Sequence, residues 1–172
     1  MSKARRMIED ANRNRAIIYW HIYTTLRDEL GEDRATELMK KAIYKRGLDN
    51  AKNFPKAAHK GDLNALAEKF LNRMDKELDV FFRDVLSISG DEAKLRLNAC
   101  VLVDAWRDYG LSDEEISRMC DIASAIDCGN YEAMGYNLKF DSRIADGAEC
   151  CILHLRKKKI RSKRPAQELQ SS

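Results

Sequence analysis

The stretch Leu86-Ser-Ile-Ser-Gly-Asp-Glu-Ala-Lys-Leu-Arg-Leu-Asn-Ala99 changes the period of the chain. Before it, apolar residues recur every three or four positions. Within it they alternate: Leu86 and Ile88 against Ser87 and Ser89, then Leu95, Leu97 and Ala99 against Lys94, Arg96 and Asn98. Alternation puts one side chain of every two on the same face of an extended strand, and Gly90-Asp91 supplies the turn. The segment therefore predicts a β-hairpin in a chain that is otherwise helical up to this point.

Upstream, residues 8–30 read as a first helix, apolar almost all round at Ala16-Ile-Ile-Tyr-Trp-His-Ile-Tyr23. His21 lies within that run, as a core histidine or as a base held neutral by apolar surroundings. Gly31 closes the helix, and a second covers 32–54 with Ala35, Leu38, Met39, Ala42 and Ile43 on one stripe. Extending the stripe brings in Arg46 and Asn50. An arginine there either snorkels to water or meets a carboxylate, for which its planar fork is well shaped. Pro55 stops the helix, and Asp62 is the expected N-cap of a third over 62–84, with Leu63, Leu66, Phe70, Met74, Leu78 and Phe81 on its face.

Downstream, Cys100 marks the passage from strand to a fourth helix over 101–109, where Leu102, Ala105, Trp106 and Tyr109 form a narrow stripe and Asp104 points away. Ser112-Asp-Glu-Glu115 is a capping box that starts a fifth. Its inward line runs Ile116, Met119, Cys120, Ala123, Ile126 and Asp127. Cys120 and Asp127 are seven residues apart, so an unbroken helix would hold them on one face about 10 Å from each other. Residues 130–137 read as irregular. A second hairpin follows, with Asp146-Gly147 as its turn and Cys151, Leu153 and Leu155 alternating on the return. The order is ααα-ββ-αα-ββ, an α+β domain over 1–155 with helices against a small antiparallel sheet.

A net charge of +3 over 172 residues is small. Its strongest basic run, Arg156-Lys-Lys-Lys159 with Arg161-Ser-Lys-Arg164, reads as a solvated, mobile tail over 156–172. Nucleic-acid binding would need basic and aromatic residues spread through the fold, so no nucleic-acid partner is expected. No apolar run approaches a membrane span, the first residues lack the apolar stretch of a secretory signal, and five cysteines suit reduced thiols. Those features point to a cytoplasmic protein without a membrane partner, with homo-oligomerisation left open.

Phosphate-binding glycine loops, the nucleophile elbow and Cys-x-x-Cys pairs are absent from the sequence. No cofactor is expected, although a mixed zinc site from Cys100, Cys120, Asp127 and His21 is chemically conceivable without any supporting local spacing.

Several short motifs together carry a resemblance. They are Ala99-Cys-x-x-x-x-Ala-Trp106, Gly110-Leu-Ser-x-Glu-Glu-Ile116, Met119-Cys-Asp-Ile122, Asp127, Asn137-Leu-x-Phe140 and Gly147-x-x-x-Cys151, with Ala42-Ile-Tyr-Lys-Arg-Gly47 as a basic helical segment. In order and spacing they resemble the L-2-amino-thiazoline-4-carboxylic acid hydrolase family. This chain has Cys100-Val101 where the family often has Cys-Pro, and Ala148 where it often has an acidic residue. The resemblance implies hydrolytic opening of a C–N bond in a small cyclic amidine or amide that bears a carboxylate. Such chemistry needs an anchor for the carboxylate, a group for the amidine, and an attacking water or thiolate. The roles expected are Arg46 as anchor, Asp127 as partner of the amidinium, Cys100 or Cys120 as nucleophile or polar wall, and His21 as base. Asn50, Trp106 and Asn137 would complete the substrate contacts. Helix N-terminal N–H groups would lower the pKa of Cys100. The last strands are also similar to those of 4-vinyl reductase-like ligand-binding domains, which implies the alternative of a non-catalytic small-molecule or metal binder.

Overall fold

In the computed structural model, which describes residues 2–158, the N-terminal third is helical and the sheet is assembled from two later hairpins. Helix α1 (Lys3–Leu30) is capped by the Ser2 hydroxyl, which accepts from the Arg5 N–H. It ends at Gly31, whose φ of +81° is one that a residue with a Cβ rarely adopts. Helix α2 (Glu32–Ala51) starts at once, and α3 (Lys56–His59) is a single turn behind Pro55. Asp62 caps α4 (Leu63–Leu71) by accepting from the N–H groups of Asn64 and Ala65, as its position predicts.

The expected helix over 62–84 is the largest correction. It ends at Leu71, a 3-10 turn covers Lys76–Leu78, and by Arg83 the chain is already a strand. Asp79 captures the backbone N–H groups of Phe81 (3.1 Å) and Arg83 (2.8 Å), which a helix would have used itself. Pairing with the next strand does the rest. The apolar period of Met74, Leu78 and Phe81 belongs to a turn packed on the core, not to a helix.

Strands β1 (Arg83–Ser89) and β2 (Glu92–Leu97) form the first hairpin as the alternation indicates. Helix α5 (Val101–Tyr109) matches its expected span, and α6 (Asp113–Ala123) carries the full capping box. The expected continuation of α6 through Asp127 is interrupted at Ser124, whose hydroxyl donates to the Asp121 carbonyl (2.9 Å). A separate helix, α7 (Ala125–Ala133), takes over, so the stretch 130–137 is helix and strand and not irregular. Strands β3 (Tyr136–Ser142) and β4 (Cys151–Lys157) pair across a longer link that includes a 3-10 turn at Ile144–Asp146. The sheet is antiparallel in the order β1-β2-β4-β3. Arg156 and Lys157 belong to β4, and the remainder of the expected tail, from Lys159, lies outside the described residues. The fold is α+β, with helices packed on one face of the sheet.

Register explains which face that is. Leu95 pairs with Leu153 and Ala93 with Leu155, all four buried, while Lys94, Arg96 and His154 occupy the opposite face. Helix α7 meets α2 through glycines. A Cβ on Gly47 would lie 2.2 Å from the Ile126 carbonyl oxygen, and one on Gly129 would lie 2.3 Å from that of Tyr44. The two backbones touch, and no side chain fits between them. Trp106 ties α5 to α1 by donating its indole N–H to the Ala16 carbonyl (2.9 Å).

Candidate functional site

A cavity of about 260 Å³ opens between α1, the α4–β1 connection, the inner face of the sheet and the α5–α7 segment. Small-molecule sites commonly enclose a few hundred Å³ and combine apolar walls with a few polar groups. Its lining is of two kinds. Apolar groups and thiols contribute Leu97, Leu102, Phe140 and Leu153 with Cys100, Cys120 and Cys151. Charged and polar groups contribute Arg15, Arg73 and Arg83 with Asp127, alongside Asn12 and Tyr131.

Asp127 is brought here by the first turn of α7. Burial raises its carboxyl from the ordinary 3.8 to about 6, against the opposing pull of Arg73, Arg83 and Arg15. Among the described residues its side chain has no hydrogen-bond or ion-pair partner, and it borders the cavity. Buried carboxylates are normally paired, and this one is an exception. Its charge adds to burial in pushing the neighbouring Tyr131 phenol up, so that group stays protonated.

The arginines are held differently from each other. Arg83 is buried at its side chain (8% exposed) and ion-paired with Asp79, with its guanidinium 5.1 Å from the ring centre of Phe81 and 5.9 Å from that of Phe70. Arg15 donates one N–H to the Asn12 side chain (2.8 Å), while its buried Nε has no partner. Asn12 in turn donates to the Ile8 carbonyl (2.8 Å) and so is oriented by the helix. Arg73 is exposed at the cavity edge.

The thiols are not activated. Cys100 stands at the N-cap of α5, and the N–H groups of Val103 and Leu102 do pull its pKa down, but burial outweighs them and the net shift is upward. The expectation of a thiolate favoured by the helix end is overturned by desolvation. Burial first, and then their thiol neighbours, raise Cys120 to about 12 and Cys151 to about 11. Cys151 accepts from the Ile144 N–H (3.3 Å), which fits its packing beside the leucines of β4.

Cys100, Cys120, Asp127 and Trp106 therefore share one cavity. The other expected residues do not reach it. Arg46 is exposed on α2, which removes it as the carboxylate anchor. His21 is exposed on α1, its ring edge-on to Tyr109 and its Nε2 3.2 Å from that hydroxyl, so it is no base for this site. Asn50 is buried away from the cavity, and Asn137 faces outward from β3. With His21 elsewhere the mixed zinc set does not assemble, and among the described residues no group of three or more His, Cys, Asp or Glu side chains is arranged to hold a metal. The arginines that line the cavity were missed. Arg15 lies within the first helix, and Arg73 and Arg83 fall inside the expected helix over 62–84, which ends at Leu71. No described helix is long and apolar enough to cross a membrane.

Comparison with solved structures finds a similar fold in a trafficking protein particle complex subunit 3 from Naegleria fowleri, covalently bound to palmitic acid. The similarity covers 89% of this chain and 98% of that one, with a TM-score of 0.61 and 14% identity. At that identity the likeness speaks for the fold alone. Among curated proteins no sequence matches. The model of the L-2-amino-thiazoline-4-carboxylic acid hydrolases matches residues 11–155, which include the whole cavity wall, and the chain belongs to that family.

Proposed function

We propose that the cavity binds a small zwitterionic molecule, a carboxylate joined to a cyclic amidine, and opens it by hydrolysis. The observation that carries this reading is the charge arrangement on one cavity: the Asp127 carboxyl, without a partner among the described residues, beside the guanidinium groups of Arg15, Arg73 and Arg83. A ligand that meets both needs a cationic or donor end and an anionic end. An amidine carboxylate has them, and leaving the buried carboxyl unpaired is costly.

In this reading Arg15 and Arg83 receive the carboxylate, and Asp127 faces the amidine. The substrate's positive charge lowers the Asp127 pKa below the value of about 6 it has alone, so the carboxylate form dominates in the complex at neutral pH. Asp127 then takes a proton from a water as its oxygen bonds to the amidine carbon. It returns that proton to the ring nitrogen as the C–N bond breaks. The thiols, held protonated by burial, serve as a neutral wall. The test is turnover of L-2-amino-thiazoline-4-carboxylate by the whole chain. D127N lowers turnover by about 10²-fold or more, and C100S and C120S retain it. Loss of turnover in both cysteine variants, with activity kept in D127N, sinks the reading.

A second reading is a binder without turnover. It is favoured by the apolar and thiol groups in the cavity lining and by the fold shared with a protein that carries a fatty acid covalently. Saturable binding of the same molecule without ring opening would select it.

A further inference from the structure

The segment Asp79–Arg83 is built unlike the rest of the cavity wall. Asp79 is a carboxyl side chain in a residue only 6% exposed. It takes the N–H groups of Phe81 and Arg83 and the guanidinium of Arg83. Between them Phe82 has φ of +48°, and it is the one non-glycine residue with positive φ among those described. That conformation is costly for a residue with a Cβ and persists only where the surroundings enforce it. Here they do: Asn98 donates its side-chain N–H to the Phe82 carbonyl (2.8 Å), and the N–H groups of Asn98 and Ala99 reach back to the Phe81 carbonyl (3.1 and 3.2 Å). The Phe82 ring is turned outward, 49% exposed, under the Arg5 guanidinium, while Phe81 and Arg83 both line the cavity.

We infer that Asp79 is a positioning residue for ligand recognition. Through the locked turn at Phe82 it fixes the Arg83 fork in the cavity wall, and Arg83 contacts the ligand's carboxylate. The inference rests on the reading of the cavity as a carboxylate site and names how that end is held. A guanidinium already fixed by one carboxylate and lying near two rings loses little freedom when a second carboxylate arrives. Its remaining N–H groups are set at one geometry, which favours a planar carboxylate over a bulkier anion.

The experiment is calorimetric titration of the whole chain with two probes, L-2-amino-thiazoline-4-carboxylate and 2-amino-thiazoline, which lacks the carboxylate. In D79N the first binds about tenfold more weakly, a change of about 1.4 kcal/mol, and the second binds as it does to the parent. Where turnover is measurable, KM rises and kcat stays within about twofold. D79E restores most of the loss. R83K keeps the buried charge pair but loses the planar fork, and it gives the same selective weakening should D79N not fold. Equal weakening of both probes, or no change in either, overturns the inference. If the parent chain binds 2-amino-thiazoline as well as the carboxylate, the carboxylate end is wrong while the amidine end stands. If the parent binds neither, the functional reading falls and this inference with it.

Discussion

Helix α7 has two faces that obey opposite rules. Toward α2 it presents Gly129, packed so closely on Gly47 and Tyr44 that no added carbon fits. Toward the cavity it presents Asp127, a charged group with no partner among the described residues. One face is optimised for contact and the other is left unfinished. The tight crossing holds α7 rigidly enough for an unsatisfied carboxyl to stay where burial raises its pKa. Function of this kind is commonly held at a cost in stability.

The sharpest way to break the contrast is to change the group each face depends on. D127N should lower turnover of the amidine carboxylate by about 10²-fold or more, the range of general acid–base catalysis, as measured by steady-state kinetics. The same variant should unfold no more easily than the parent at neutral pH, because it removes a buried charge. Gly129→Ala and Gly47→Ala should do the reverse, destabilising the fold by about 3 kcal/mol or more, since overpacking against backbone oxygens cannot be relieved by a rotamer. Denaturant midpoints measure this. If both glycine variants unfold like the parent, the crossing is looser than described.

The pH dependence of stability sharpens the same comparison. The Asp127 carboxyl is raised from 3.8 to about 6, so between those values the folded chain holds a proton that the unfolded chain has released. Its contribution to stability therefore falls as pH rises through that window and is level above it, a span of up to about 3 kcal/mol at 1.36 kcal/mol per pH unit. D127N should flatten that part of the profile, and an unchanged slope would mean the carboxyl is better solvated than its burial indicates. The thiols come next. C100S and C120S should cost less than about tenfold in turnover, since both positions bear protons at neutral pH. Smallest of all, Arg46→Ala and His21→Ala should leave turnover within about twofold and stability within about 0.5 kcal/mol, as for exposed positions.

The cavity residues show where reading the chain alone succeeded and where it failed. Cys100 and Trp106 were legible because a strand passes into a short amphipathic helix around them, and that local pattern survived folding. Cys120 and Asp127 were placed on one wall by assuming an unbroken helix. They do share a wall, but a break at Ser124 and a second helix put them there. Arg46 and His21 were misplaced for a common reason. Both lie beside apolar residues on a helix, but Ile18 and Ile22 next to His21 are themselves exposed. The buried line of α2 runs Ala35, Met39, Ile43, Gly47 and Ala51 past Arg46, a one-residue offset that periodicity does not resolve. The glycine crossing left only a weak mark, single glycines inside helices at positions 47 and 129.

What the residues by themselves determined was the local content of the chain: helices bounded by Gly31, Asp62 and the Ser112 capping box, and two hairpins signalled by alternation, each with one register irregularity. These follow from interactions within a few residues, which propensity and caps decide. Tertiary structure alone decided that the sheet runs β1-β2-β4-β3 and that three arginines, from α1, the α4–β1 connection and the start of β1, gather around Asp127. Those outcomes depend on which distant surfaces exclude water from one another. A buried carboxyl acquires its character from groups more than forty positions away in the chain, and no short-range pattern records them.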